Sequence, residues 1–323
     1  MTRDKQPIFI EESSVTDEAY ILKMISGNIN NWDRKREFKF TPRDFSHVQK
    51  LIYEYAGIHL RQTKQHMVYS RLVRRLRATG AKTFEQYLVS LDDKSNGEWE
   101  NFVNALTTNL TSFFRESHHF DILADHIKTT VFPNKKRYPV SLWCAAVSTG
   151  QEAYSAAMTM VDLFGSFTPP VKILATDLDT NVLQKAQQGI YPVECLERIS
   201  PGKIKRFFLK GTGSYAGFAK VRPELQSIVT FRQMNLLDET WPLDRPFDAI
   251  FCRNVMIYFD KPTQYKVLEK FVPLLKADGL LFAGHSESFH HATDLFEMRG
   301  KTVYRLAREA MVRERKQDNP RLL

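Results

Sequence analysis

Four polar residues stand where chemistry could be done: Glu152, Asp177, Asn235 and Asn254. Glu152 lies at the start of a helical run just after a strand-like segment, and the other three each close an apolar run. In a sheet of alternating strands and helices, ligands collect outside the carboxyl ends of the strands. Asp177, in A-T-D-L-D, can accept hydrogen bonds from both hydroxyls of a ribose. Asp179 is better placed to cap the helix that follows. The stretch L-W-C-A-A-V-S-T-G-Q-E-A-Y-S, residues 142–155, runs from strand to helix through the small residues Ala145, Ala146, Ser148 and Gly150. Ala153, Ala156, Ala157, Met160 and Val161 then recur at helical spacing. Small residues let a ligand lie against the backbone, and the free N–H groups of the helix start face it.

The turn chemistry narrows the ligand. Binding of a nicotinamide dinucleotide calls for G-x-G-x-x-G, and Gly150 is the only glycine in this turn; a G-K-[ST] phosphate loop is absent too. A nucleoside cofactor without a pyrophosphate fits, and S-adenosylmethionine is such a molecule. Its sulfonium and amino-acid end need acceptors, which Glu152 can supply. His118 and His119 are adjacent, so on a helix they point apart, and no carboxylate is spaced to join them; no metal site is expected. Cys144, Cys195 and Cys252 form no close pair and read as reduced thiols of a cytoplasmic protein.

Residues 1–35 are polar and weakly periodic, an expected flexible arm with a short helix at Ala19–Met24. Residues 36–108 read as a small all-α unit: a helix capped at Thr41-Pro42, a second over Thr63–Thr79, and two more over Thr83–Leu91 and Glu98–Leu106. From Tyr138 the pattern alternates. Strands are predicted at Val140–Val147, Val171–Asp177, Ser227–Met234, Phe247–Cys252 and Gly279–His285, and helices at Glu152–Phe164, Asn181–Gln188 and Pro262–Leu275. That alternation predicts an α/β fold, a doubly wound and mostly parallel sheet with helices on both faces. Asp294–Met298 and Thr302–Leu306 read as a closing strand pair, and residues 308–323 as a frayed charged tail. Residues 189–221 break the alternation and predict an antiparallel β insertion, Phe207–Leu209 against Phe218–Val221 around the K-G-T-G turn.

Of 323 residues, 43% are hydrophobic and 26% charged, the balance of a soluble globular protein, and no run approaches the roughly 20 apolar residues of a membrane span. The net charge of +9 is uneven: Tyr55–Phe84 holds seven Lys or Arg and no acid. On the second helix Lys64, Arg71, Arg74 and Arg75 project opposite the apolar stripe Tyr69, Leu72, Val73 and Leu76. A solvated face usually mixes signs, so a basic face for an acidic partner is predicted.

Four segments then carry a family resemblance. L-T-T-N-L-T-S-F-F-R-E-S-H-H-F at Leu106–Phe120, W-C-A-A-V-S-T-G-Q-E, F-D-A-I-F-C-R-N-V-M-I-Y-F-D at Phe247–Asp260 and G-L-L-F-A-G-H-S-E at Gly279–Glu287 are similar to the chemotaxis receptor methyltransferases, the CheR type. The resemblance runs from about Phe38 to Leu306. It implies the S-adenosylmethionine methyltransferase fold over residues 116–307, joined by a linker at 109–115 that lies over the cofactor. It implies a cytoplasmic enzyme, a monomer recruited to membrane-bound receptor arrays. That enzyme methylates glutamate side chains on the helical region of chemoreceptors, leaving glutamyl methyl esters and S-adenosylhomocysteine, and needs no metal.

By matching motif, the resemblance places Asn109, Thr111, Arg115, Glu152, Asp177, Asn235, Leu236, Asn254 and Val255 at the cofactor, and Arg115 and Tyr258 at the transferred methyl group. It assigns receptor contact to Arg71, Arg74 and Arg75, and a receptor C-terminal peptide to the insertion with Gly211 and Gly213. Gln151 and Ala153 depart from the Glu and Pro of many members, while Glu152 is retained. A nucleic-acid methyltransferase and a noncatalytic receptor-binding adaptor are the competing readings. The N-P-P-Y-like tetrad of amino-methylating enzymes is absent, and intact Arg115, Asp177 and Tyr258 speak against the adaptor.

Overall fold

The structure is a computed structural model that describes residues 36–93, 97–133, 139–243 and 246–312. The expected arm over residues 1–35, its helix at Ala19–Met24 and the tail beyond residue 312 lie outside the described residues.

The first unit is helical. α1 (Pro42–Ala56) begins at a capping box in which Thr41 and Asp44 satisfy each other's backbone N–H groups, and it ends at Gly57 in the left-handed region. α2 (Gln65–Thr79) follows a 3-10 turn at Gln62–Lys64 and stops at Gly80, φ 74°. α3 (Phe84–Ser90), capped by Thr83, and α4 (Glu98–Leu106) complete the unit. Phe45, Val48, Ile52, Val68, Leu72, Leu76, Tyr87 and Phe102 close a core of its own. Val68 joins the predicted stripe of α2, and Tyr69 is half-buried against the same core beside Phe40 and Phe84.

The basic face of α2 is not free as predicted. Arg71 donates to the carbonyls of Leu106 (3.0 Å) and Thr107 (2.6 Å), closing the end of α4. Arg75 forks onto Glu98 at 2.9 and 2.6 Å, and Arg77 pairs with Glu37. Acids from other segments thus supply the partners that the local stretch lacks. Arg74 alone of the three candidate receptor contacts is exposed and has no hydrogen-bond or ion-pair partner among the described residues. Burial would raise the Glu98 carboxyl, but Arg75 and the Tyr87 hydroxyl outweigh it and hold it below its ordinary range. Arg75→Ala is therefore expected to cost about 2–3 kcal/mol of stability, and Arg74→Ala less than about 0.5 kcal/mol. Equal urea midpoints for the two variants would contradict this.

The second unit begins with α5 (His118–His126) and a π turn at Ile127–Val131, then alternates. β1 (Val140–Cys144) leads to α6 (Gln151–Phe164), β2 (Val171–Asp177) and α7 (Thr180–Gln188). The insertion holds β3 (Ile190–Pro192), α8 (Pro201–Phe207), β4 (Phe208–Lys210) and β5 (Phe218–Val221). One turn, α9 (Pro223–Gln226), then β6 (Val229–Gln233), β7 (Phe247–Phe251), α10 (Lys261–Phe271) and β8 (Leu275–Phe282) follow. A hairpin, β9 (Phe296–Gly300) and β10 (Val303–Leu306), ends the sheet.

The sheet order is β6-β2-β1-β7-β8-β10-β9. The first five strands are parallel, while β10 pairs antiparallel with both β8 and β9. The chain moves outward from β1 on one side and then returns to β7 on the other. That reversal opens a crevice at the carboxyl ends of β1 and β7. Alternate residues bury opposite faces: Leu142, Cys144, Ala249 and Phe251 against α5 and α6, and Trp143, Ile250 and Leu281 against Val267, Leu268 and Phe271 of α10.

Several boundaries differ from the pattern; β1 ends at Cys144, not Val147, and β8 at Phe282, not His285. α10 ends at Phe271, not Leu275, and β8 begins at Leu275, because a register shift between Phe247 and Ala249 absorbs the residues before Leu280. The insertion is a three-stranded sheet, β3-β5-β4, not a two-stranded ribbon; β3 is three residues long and ends on Pro192, too short to show periodicity. Residues 308–312 of the expected frayed tail are helical, with Ala310 buried.

Candidate active site

A cleft of about 220 Å³ lies at the β1–β7 crevice, and three parts of the chain wall it. The strand ends contribute Ala145, Ser148, Glu152, Asp177, Asn254 and Val255. The linker contributes Asn109, Thr111 and Arg115, and the helical unit contributes Ile58, His59, Lys64 and Met67. The helical unit is fastened there. The Tyr258 carbonyl accepts from the His59 N–H (2.8 Å), Tyr53 donates to Asp260 (2.7 Å), and a Cβ at Gly57 would lie 2.9 Å from Leu237.

The turn after β1 is built around Asp177. One carboxylate oxygen accepts from the Ser148 N–H at 2.7 Å, the other from the Asp179 N–H at 3.0 Å. Ser148 itself takes a left-handed φ of 51°. Burial pushes the Asp177 carboxyl up to about 6, against these donors. Gly150, φ 94°, is required there, because a Cβ would stand 2.8 Å from that of Ala186. Asp179 caps α7, as the spacing predicts, and also accepts from Asn109 (2.8 Å) and Thr107 (2.6 Å).

The linker folds back over this turn. Ser148 Oγ donates to the Asn109 carbonyl at 3.0 Å, and the Phe114 N–H donates to Ser155 of α6 at 2.9 Å. Phe113 is fully buried, edge-on to Tyr191 of β3 and Phe208 of β4. Arg115 donates to the Leu110 carbonyl (2.9 Å) and lines the cleft.

Under the floor runs a charge network. Arg253 donates to Glu152 at 2.9 Å, lies 3.1 Å from Glu116, and donates to the Arg115 carbonyl. Burial pushes the Glu152 carboxyl up, with Arg253 opposing it. Burial would also raise Glu116, but His285 and Arg253 outweigh it and hold it down at about 2. Glu287 accepts from the N–H groups of Asn254 (2.9 Å), Met256 (2.8 Å) and Gly284, fixing the strand-end turn in which Asn254 takes a φ of 59°.

Glu116 makes a testable contribution to stability. Its folded pKa lies below its ordinary value of 4.5, so the stabilisation is full above about 4.5 and is lost as pH falls toward 2. The deficit of Glu116→Gln in urea midpoint is expected to be largest near about pH 6 and to shrink by about pH 3; a constant deficit would contradict it.

All nine cofactor candidates and Tyr258 line this one cleft. The two amide side chains of Asn235 and Asn109 also have protein partners: Asn235 donates to the Tyr55 carbonyl at 2.7 Å, and Asn109 is held by Asp179. Gly211 and Gly213 turn the chain between β4 and β5 and do not line the cleft. His119 is a buried strut, its Nε2 2.8 Å from the Lys301 carbonyl, with burial pushing its pKa down to about 4. Sequence reasoning assigns no role to Arg253, Glu116 or Glu287, although each lies in a quoted motif. The signal was an arginine directly after the apolar run F-D-A-I-F-C.

A nucleoside-type crevice beside a switch in strand order, with acids at its floor and a linker above, defines the class of S-adenosylmethionine-dependent methyltransferases. Residues 109–305 match the model of the CheR methyltransferase SAM binding domain, and residues 43–107 that of the CheR methyltransferase all-alpha domain. The chain is 52% identical over 269 residues to chemotaxis protein methyltransferase 2 of Pseudomonas aeruginosa, covering 83% of this chain and 95% of that one. It is 50% identical over 266 residues to the chemotaxis protein methyltransferase of Escherichia coli strain K12, covering 82% and 91%. The chain belongs to the CheR methyltransferase family and is a methyltransferase of chemotaxis. No helix among the described residues is long and apolar enough to cross a membrane.

Proposed function

We propose that this enzyme methylates glutamate side chains of chemoreceptors, forming glutamyl methyl esters. One observation carries the reading: Glu152 and Asp177 share a cleft with Arg115 and Tyr258, although the four come from separate segments. The cleft suits the cofactor. Glu152 Oε1 is buried without a hydrogen-bond partner, an acceptor left over for a cationic group, and Asp177 stands where a ribose diol would be held. S-adenosylmethionine bound there supplies an electrophilic methyl group. Ala145, Leu236 and Val255 would wall its nucleoside.

A glutamate side chain has a reference pKa of about 4.3 and is already ionised near neutral pH. It needs no general base to remove a proton. The protein's work is then to orient the carboxylate and exclude water. Arg115 and Tyr258 do this from opposite sides of the cleft's sequence, linker and strand-end turn. Methyl transfer to receptor fragments, giving a base-labile label on protein, tests the reading; label on RNA, on DNA or on neither refutes it.

The receptor helices would lie against α2. Arg74 contacts their acidic surface directly, while Arg71 and Arg75 contribute field from their fixed positions. Arg74→Glu is expected to cut receptor methylation several-fold at low salt, with the gap narrowing as salt rises; unchanged activity at both would remove the contact. A receptor tail peptide would add along β4, an edge strand of the three-stranded insertion, where Leu209 is exposed. Titration with tail peptides decides this, and no binding at high peptide concentration refutes it. The enzyme acts as a cytoplasmic monomer brought to membrane-bound receptor arrays by these contacts.

A further inference from the structure

The Arg253 side chain is only 2% exposed, and its fork serves two distant segments. Nη1 holds Oε2 of Glu152, at the start of α6, while Nη2 reaches Oε2 of Glu116 and the carbonyl of Arg115, in and beside the linker. Glu152 lines the cleft and keeps one oxygen, Oε1, buried without a hydrogen-bond partner. The groups facing Glu152 are Arg253, Glu116, Glu287 after β8 and the Cys144 thiol of β1. The oxygens of Glu287 are taken by backbone N–H groups. Among these groups Arg253 is the one cation, set against three carboxylates. A buried carboxylate deprived of its cation takes up a proton.

We infer that Arg253 is a positioning residue for both halves of the reaction. Its fork opposes protonation of the buried Glu152 and leaves one oxygen for the cationic end of the methyl donor, and it ties the backbone of Arg115 to that same point. Donor site and substrate-orienting arginine are therefore set by one guanidinium. The inference rests on the donor and substrate roles given above.

The test compares wild type, Arg253→Gln and Arg253→Lys, titrated with S-adenosylhomocysteine by calorimetry at two pH values and assayed for receptor methylation. In Arg253→Gln, Glu152 is free to protonate. The ratio of variant to wild-type Kd is expected to rise from about 3-fold near about pH 8.5 to about 30-fold near about pH 6.5. Adding Glu152→Gln should abolish that pH dependence. Arg253→Lys keeps the charge but not the fork. Its Kd ratio is expected to stay within about 3-fold at both pH values while kcat falls about 10-fold, because the Arg115 carbonyl loses its tie.

A Kd ratio independent of pH, or pH dependence that survives in the double variant, overturns the inference. If Arg253→Gln does not fold, Arg253→Lys decides: wild-type kcat overturns it, and lowered kcat with retained affinity supports it. Failure of wild type to bind S-adenosylhomocysteine would refute the donor reading instead, and label on no receptor fragment the substrate reading.

Discussion

Asp177→Ala is expected to weaken S-adenosylhomocysteine binding about 100-fold. Two hydrogen bonds from a ribose diol to an ionised carboxylate contribute about 1.5 kcal/mol each at the low end of the charged range, and about 1.4 kcal/mol is tenfold in affinity. The carboxylate is prepared for this work: Ser148 and Asp179 N–H groups hold its two oxygens in place before any ligand arrives. The same residue sets a pH limit. Burial lifts its carboxyl to about 6, and a protonated carboxyl has lost an acceptor. Wild-type affinity should therefore be full above about pH 6 and fall as pH drops below it, while Asp177→Ala shows no such fall. Calorimetric titration across this range checks both statements. Affinity within about threefold of wild type would restrict Asp177 to holding the turn.

Arg115→Ala is expected to lower kcat about 100-fold with the Kd for S-adenosylhomocysteine changed by less than about fivefold. The split follows from placement. Arg115 is fixed by its backbone, through the carbonyl that Arg253 holds, and by its guanidinium, which donates to Leu110. The floor of the cofactor site, Glu152 and Asp177, does not depend on that guanidinium. Removing it therefore disturbs orientation of the incoming carboxylate more than binding of the donor. A tight ion pair with that carboxylate would blunt its nucleophilicity, so the role is alignment rather than activation. Arg115→Lys, which keeps charge without the planar fork, should recover part of the loss. Full turnover by Arg115→Ala with normal cofactor affinity would refute the assignment.

Much of this molecule was legible in its sequence, for local reasons. Period-two and period-3.6 patterns marked the strands and helices because each element must bury one face, and their alternation alone predicted a parallel sheet. Asp177 and the small-residue turn announced themselves because a ligand needs both an acceptor and room beside the backbone. The motifs of residues 106–120 and 247–260 were long enough to suggest a family, and with it the linker.

What the sequence could not display was pairing across distance. The run Tyr55–Phe84 looked like an unopposed basic face, yet Glu98 and Glu37 neutralise Arg75 and Arg77, and the end of α4 occupies Arg71. Asn235 lines the cleft, and its amide also holds the Tyr55 carbonyl. Arg253 carries no role in the sequence reading, yet it joins Glu152 to Glu116. Local pattern determines elements because backbone hydrogen bonds and amphipathic faces involve near neighbours. Charge partners are decided by the tertiary structure, because a buried ion must be neutralised by whatever the fold brings within reach. The sequence by itself determined the fold class, the ligand-binding edge and the residues able to do the chemistry. Only the folded chain decided which arginines are already committed, and that one of them, beneath the cleft, holds the site together.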